Sequence, residues 1–284
     1  SSFAMSVGRD LNEKLSVDFG YASVERLPSV IELFMNGPHM ATGRFEVGDP
    51  NLSSETSNNL DITFNYQNGE YYGYASFYIT DVDNYIALID EDEDHDDHGD
   101  EDHGDDDHGD EDHGDDDHGD EHDHGNLIHA KYMQEDAEFD GYEIEFGRTF
   151  AVGSGELDLS FGRDVVNAEF SDGHYVPRMN PARNIYSLSY KQDDLLFNLS
   201  LKDVEKQNDV GEGETVTDGY QMLNLRLTKT FDVIYWFPSK KSELKVTLFG
   251  NNLLDEVARN HSSFVKNEVP LPGRNYGLKF NFKY

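Results

Sequence analysis

Apolar and polar residues alternate with a period of two along segment after segment of this 284-residue chain. Leu15, Val17, Phe19 and Tyr21 are interleaved with Ser16, Asp18 and Gly20, and Leu60, Ile62, Phe64 and Tyr66 with Asp61, Thr63 and Asn65. The pattern returns at Tyr142, Ile144 and Phe146, at Leu157, Leu159 and Phe161, and at Leu195, Phe197, Leu199 and Leu201. It returns again at Leu223, Leu225 and Leu227, and at Leu244, Val246 and Leu248. Successive side chains of a strand point to opposite faces, so about eleven strands are predicted, each with one apolar and one polar face.

The predicted connections alternate in length. Short turns fall near Asp10–Asn12, Asn68–Glu70, Val152–Gly155 and Gln192–Asp194, with a longer one at Asp232–Ser242. Long loops fall over 26–56, 90–126, 167–182, 206–218 and 255–272. Short turns at one end, long loops at the other and strands long enough for a tilted bilayer path predict a fold class: all-β, a transmembrane antiparallel β-barrel. A soluble antiparallel sandwich or barrel alternates too. Here, however, the apolar faces are rich in Tyr, Phe and Leu over ten-residue spans, and the whole would be an unusually large single sheet. Lipid outside and water inside satisfy both faces. The last segment, Tyr276, Leu278, Phe280, Phe282 and Tyr284 alternating with Asn275, Gly277, Lys279, Asn281 and Lys283, resembles the terminal assembly signal of bacterial outer-membrane proteins.

Composition narrows the partners. With 22 Lys plus Arg against 58 Asp plus Glu the formal charge is −36, which sets nucleic acid aside. The chain has no cysteine, so disulfides and thiolate metal sites are excluded. No apolar stretch approaches the roughly 18 residues of a membrane helix. Ser1–Gly8 already alternate like the middle of a strand, and the expectation is a piece of a longer protein.

One tract departs from the strand pattern. Residues 90–124 contain only Asp, Glu, His and Gly, with 22 carboxylates and 8 of the 12 histidines. From His98 a five-residue unit repeats: His98-Gly-Asp-Glu-Asp102, His103-Gly-Asp-Asp-Asp107, and so on to His118. Such a run is a solvated acidic loop in conformation, because its charges repel and it has nothing apolar to bury. Solubility alone does not call for a histidine at every fifth position. Imidazole and carboxylate without thiolate suit zinc, nickel or copper(II), and the expected ligands are His95, His98, His103, His108, His113, His118, His122 and His124 with Asp100, Asp105, Asp110, Asp115 and Asp120. Removing the tract's carboxylates still leaves −14 over the other 249 residues.

Two further stretches resemble a known family. Gly250-Asn-Asn-Leu-Leu-Asp255, followed by Pro272-Gly-Arg-Asn275 and the aromatic last strand, resembles the C-terminal signature of the TonB-dependent outer-membrane receptors. Arg26-Leu-Pro-Ser29, Glu32-Leu33, Gly37-Pro-His39, Ala41-Thr42 and Gly48-Asp-Pro-Asn-Leu52 are similar to the long loop of that family's zinc and haem receptors. With the His/Asp tract, the likeness is greatest to the zinc receptors. The resemblance implies a 22-stranded barrel around a plug domain, of which residues 1–284 would be the C-terminal half, with 90–125 an inserted disordered extracellular loop. It implies the outer membrane of a Gram-negative bacterium, the lipid bilayer, zinc or another divalent cation, and the TonB energy-transducing complex acting through the missing plug as partners. It also makes His39 a candidate ligand of the transport site. His129, His174 and His261 near predicted outer loops, and Glu143, Glu145 and Asp158 on the polar faces, are weaker candidates for a cation path.

The expected function is TonB-dependent zinc uptake, with the tract gathering metal at the surface. A haem receptor of the same fold is the alternative, although a porphyrin calls for an apolar slot and axial histidines rather than a carboxylate-rich tract. An enzyme is set aside, since neither a Gly-x-Ser-x-Gly elbow nor a His-Glu-x-x-His pair occurs. A passive porin or an adhesin explains the barrel and leaves the tract unexplained.

Overall fold

The computed structural model describes residues 1–91, 127–232 and 242–283. The period-two segments form strands β1 (Phe3–Asn12) and β2 (Leu15–Arg26), followed by a short helix α1 (Val30–Phe34) and a small hairpin of β3 (Asn36–His39) and β4 (Arg44–Val47). There follow β5 (Glu55–Asn68), β6 (Tyr71–Asp90), β7 (Ile128–Val152), β8 (Gly155–Phe170), β9 (Arg183–Gln192), β10 (Leu195–Val204), β11 (Tyr220–Asp232), β12 (Glu243–Asn251) and β13 (Asn275–Lys283). Eleven of these lie on one path, β1-β2-β5-β6-β7-β8-β9-β10-β11-β12-β13, as the alternation predicts, and the sheet is not closed. The two remaining strands, with α1, fill the loop expected over 26–56.

The register builds continuous apolar rows. Phe146, Phe161, Tyr186, Leu201 and Leu223 stand opposite one another across five strands. Leu157, Tyr190, Phe197, Leu227, Leu248 and Leu278 do so across six. A one-residue slip would turn every one of these side chains to the other face, so the rows fix the pairing. Phe77, Phe146, Leu248, Tyr276 and Phe280 on this face are exposed. No second layer of the described residues covers it, as a soluble sandwich would require, and the one buried cluster is small: Ala137, Ala168 and Val176 with Tyr85, Phe139, Phe170 and Met179 around them. Hydrocarbon is the medium that such a face satisfies.

The opposite face is polar and cross-linked by side chains. Thr63 and Ser76 are 2.8 Å apart, Thr228 and Thr247 3.1 Å, and Asp158 accepts from Tyr72 at 2.9 Å and Thr149 at 2.6 Å. Tyr72 and Phe249 lie over Gly147 and Gly277, their direct cross-strand partners. A Cβ on Gly147 would stand 2.2 Å from Tyr72 Cζ, so the ring needs the glycine beneath it. Most of the charge on this face sorts by strand, with Arg26 on β2, Asp232 on β11 and Glu243 on β12 as exceptions. Asp10, Asp18, Asp61, Glu143, Glu145 and Asp158 lie on β1–β8, whereas Arg183, Lys191, Lys202, Arg226, Lys245 and Lys279 lie on β9–β12 and β13. Asp164 and Arg183 pair at the boundary over 2.7 Å.

Two elements outrun the expectation. β6 has 20 residues and β7 has 25, twice the roughly ten needed to cross a bilayer, and their ladder continues past a bulge at Val82/Tyr85 as far as Asp90↔Ala130. Asn84, in the bulge, takes a φ of 57°. Asp90 is therefore not the first residue of a loop but the last of a strand, and it is buried. β8 likewise runs on to Phe170, into the loop expected over 167–182.

Candidate functional site

The root of the acidic tract is a closed hairpin base. Glu91 N donates to His129 O over 2.9 Å, which brings the described residues on either side of the tract onto adjacent backbone. Next to this base β4 pairs in parallel with β7, Arg44↔Ile128 through Val47↔Lys131, and β3 pairs antiparallel with β4, setting His39 opposite Arg44.

Local sequence explains why the strap 26–52 holds this shape. Ser29 caps α1 in a reciprocal box, accepting from Glu32 N while its own N–H donates to Glu32 Oε2 at 2.6 Å. Arg26 joins Glu32 at 2.9 Å to Glu55 at 2.8 Å. Gly48 N and Asp49 N then donate to Met35 O and Glu32 O at 2.7 and 2.9 Å. A Cβ on Gly48 would meet the backbone of 32–34 at 2.8 Å, which accounts physically for the glycine of the Gly-Asp-Pro-Asn-Leu segment. Asp49 accepts from Asn51 N at 2.8 Å, a side-chain turn that ends the strap.

On this support His39 Nδ1 lies 2.8 Å from Glu46 Oε1. The Glu46 side chain is 1% exposed and that of His39 44%. Glu46 Oε1 also lies 2.7 Å from Thr42 Oγ1, and Oε2 accepts from Tyr132 OH at 3.3 Å. Burial first, and the Glu46 carboxylate second, push the Tyr132 hydroxyl up to about 12, so it remains a donor.

A second constellation packs the long loops onto the same base. Arg44 Nε donates to Asp90 Oδ1 at 2.6 Å, and Arg44 Nη1 to Phe264 O at 3.2 Å. The Phe264 ring takes both guanidinium groups, Arg44 at 4.7 Å and Arg178 at 4.3 Å from its centroid. Arg178 also bonds Leu88 O, and burial lowers its pKa. Alongside, Glu214 Oε1 lies 3.0 Å from Lys266 Nζ and 3.1 Å from His261 Nε2, with all three side chains buried. His261 Nε2 has no partner in hydrogen-bond geometry, while Nδ1 lies 2.8 Å from Thr217 Oγ1.

The sequence-predicted residues are distributed as follows. His39 stands at the tract root. His95, His98, His103, His108, His113, His118, His122 and His124, and Asp100, Asp105, Asp110, Asp115 and Asp120, lie outside the described residues, as does the expected disorder of that loop. His129 stacks on Phe45 with centroids 5.3 Å apart. His174 is exposed and held by Asp172 at 2.7 Å, which raises its pKa. His261 is wholly buried in the Glu214 cluster, so it locks loops together instead of lining a path. Glu143, Glu145 and Asp158 share the polar face as expected, and Asp158 is occupied by Tyr72 and Thr149. Among the described residues no three His, Asp or Glu side chains converge on a point that could hold a metal. Glu46, Asp90 and Glu214 were not singled out by sequence; each is one acid among 58, distinguished only by burial.

Residues 4–253 match the family model described as "TonB dependent receptor-like, beta-barrel". Solved structures share the fold at low identity. A copper transporter, OprC, aligns with a TM-score of 0.70 and 19% identity over 99% of this chain and 39% of its own. The FrpB iron transporter from Neisseria meningitidis aligns at 0.60 and 14% over 98% and 38%, and a mutant of the ferric enterobactin receptor PfeA from Pseudomonas aeruginosa at 0.60 and 16% over 98% and 39%. The chain thus spans about two-fifths of the length of these structures.

Proposed function

Because this chain belongs to the TonB-dependent receptor family of β-barrels, transporters of the Gram-negative outer membrane, we propose that it is the metal-recognising part of an uptake receptor for a divalent cation, zinc foremost. The observation that carries this is a juxtaposition. A tract with 8 histidines and 22 carboxylates is rooted, at the Glu91–His129 backbone bond, in the strand pair beside His39 and Glu46. The tract raises the local concentration of metal through many weak sites. His39 then supplies one ligand of an ordered site, completed by groups beyond the described residues. Energy delivered through TonB to a lumen-filling domain releases the ion inward, and binding and gating are the whole chemistry. Zinc takes nitrogen and oxygen ligands in tetrahedral sites, while copper(II) outranks it in raw affinity, so supply and geometry decide between them.

The test is metal analysis of the purified full-length receptor followed by zinc titration, with and without residues 92–126. More than one zinc per chain is expected, falling on deletion while a tight site remains. An unchanged stoichiometry overturns capture by the tract. Copper in place of zinc reassigns the cargo, and a Soret band on addition of haem replaces the metal-ion proposal with a haem receptor.

A further inference from the structure

We infer that Glu46 is a positioning residue: it holds the His39 imidazole as the Nδ1–H tautomer with Nε2 turned outward as the metal-ligating atom. This rests on His39 being a ligand, as proposed above, and adds a role for a buried carboxylate that touches no metal.

An ionised carboxylate only accepts hydrogen bonds, so the 2.8 Å contact between Glu46 Oε1 and His39 Nδ1 puts the imidazole proton on Nδ1. A neutral ring has one N–H, and Nε2 keeps its lone pair. Nε2 makes no hydrogen bond among the described residues, and the ring is 44% exposed beside a carboxylate that is 1% exposed. The ring is thus gripped on its inner edge and open on its outer one. The His174–Asp172 pair lacks this asymmetry, with side-chain exposures of 73% and 45%.

The carboxylate is itself fixed. Thr42 Oγ1 stands 2.7 Å from Oε1, Tyr132 OH donates to Oε2 at 3.3 Å, and the backbone of Glu46 is paired to β3 and β7 on either side. A buried carboxylate is costly without a cation, and among the described residues no Lys or Arg forms an ion pair with Glu46; its partner is His39. Metal bound at Nε2 draws electron density from the ring and makes Nδ1–H a stronger donor. The metal-loaded state therefore supplies the partial positive charge that Glu46 otherwise lacks. A second partner of this kind raises ligand basicity and fixes ring orientation.

The experiment uses the full-length receptor with residues 92–126 removed, a deletion for which the hairpin base is already closed, so that the tight site is measured alone. Zinc affinity is determined by chelator competition for the parent, His39→Ala, Glu46→Gln and the double variant. The His39 tautomer is read from 15N shifts of histidine-labelled protein, and thermal melting is recorded for each. Glu46→Gln is expected to weaken zinc by about 10–100-fold, the usual effect of losing an outer partner, and to bring Nε2–H tautomer into the spectrum. The double variant should bind no worse than His39→Ala, since Glu46 acts only through the ring. If His39→Ala binds like the parent, the ligand proposal fails and positioning fails with it. If His39→Ala loses the site while Glu46→Gln keeps both affinity and tautomer, positioning alone is overturned. A double variant weaker than His39→Ala overturns it too, by making Glu46 a direct ligand. So does a lowered melting temperature with unchanged affinity, by reducing the pair to a hairpin clasp.

Discussion

Arg44 and Asp90 form a buried ion pair, Nε to Oδ1 at 2.6 Å, at the residue where β6 gives way to the acidic tract, with side-chain exposures of 7% and 9%. The pair ties β4, and through it the β3–β4 hairpin that carries His39, to the tract root. Removing one partner of a buried pair leaves the other charge without compensation. Arg44→Ala should therefore destabilise by about 3–5 kcal/mol. It should appear as a lower unfolding temperature of the full-length receptor and as proteolysis near residue 90 that the parent resists. A variant as stable and resistant as the parent would falsify a structural role for the pair.

Glu214 gives a pH prediction for the loops. Burial acts to raise its pKa, but the close approach of His261 and bonds from the Arg178 backbone and Lys266 outweigh it and bring the carboxyl down from 4.5 to about 2. A group depressed on folding contributes stability above its unfolded value, and that contribution fades as pH falls through the folded one. Loops 206–218 and 255–272 should thus stay protected from hydrogen exchange at pH 5 and lose protection progressively between 4.5 and about 2. Glu214→Gln should remove that acid dependence. Exchange with the same pH profile in the variant would assign the transition to another group.

Asn252 accounts for part of the C-terminal signature. It is 1% exposed with a φ of 49°, and its side chain donates to Glu256 O at 2.9 Å and Pro272 O at 3.2 Å and accepts from Glu256 N at 3.0 Å. Asn252→Ala should cost about 2–4 kcal/mol, from the left-handed backbone and the orphaned groups together. Asn252→Gly relieves only the backbone part, so it should melt above the alanine variant yet below the parent. Equal melting of all three proteins would contradict these contacts.

Capture and transport are separable in cells. The His39→Ala receptor should impair growth on limiting zinc even with the tract intact, whereas deletion of 92–126 should matter mainly when zinc is scarcest. Growth of His39→Ala like the parent at every zinc level would move the search for a transport site to the polar-face carboxylates or beyond the described residues.

The barrel strands were legible because a face that meets lipid leaves an uninterrupted period of two, as in Leu157 to Phe161 and Leu223 to Leu227. The outer half of β6 was bracketed by the expected connections at 68–70 and 90–126 but shows no alternation of its own. Tyr85-Ile86-Ala87-Leu88-Ile89 is a continuous apolar run in which the consecutive residues Ile86, Ala87 and Leu88 are all buried, so both faces are covered, and periodicity alone does not tell such a run from a buried helical segment. At five residues, α1 is too short for a helical period to show. The candidate site was half visible. His39 is a rare residue in a recognisable segment, but Glu46 depends on partners at 39, 42 and 132, a conjunction that only the β3–β4–β7 pairing creates.

The number of strands on the sheet path has a topological consequence. Antiparallel neighbours alternate in direction, so after eleven strands β13 runs the same way as β1. The two free edges cannot be joined to each other by the ladder used everywhere between them, whatever the curvature of the sheet. An odd number of additional strands restores the alternation and yields the even total that antiparallel closure requires. Parity thus bars the eleven described strands from closing on themselves into a small antiparallel pore, and strands that complete the ring must present an outward-running strand to one edge and its like to the other.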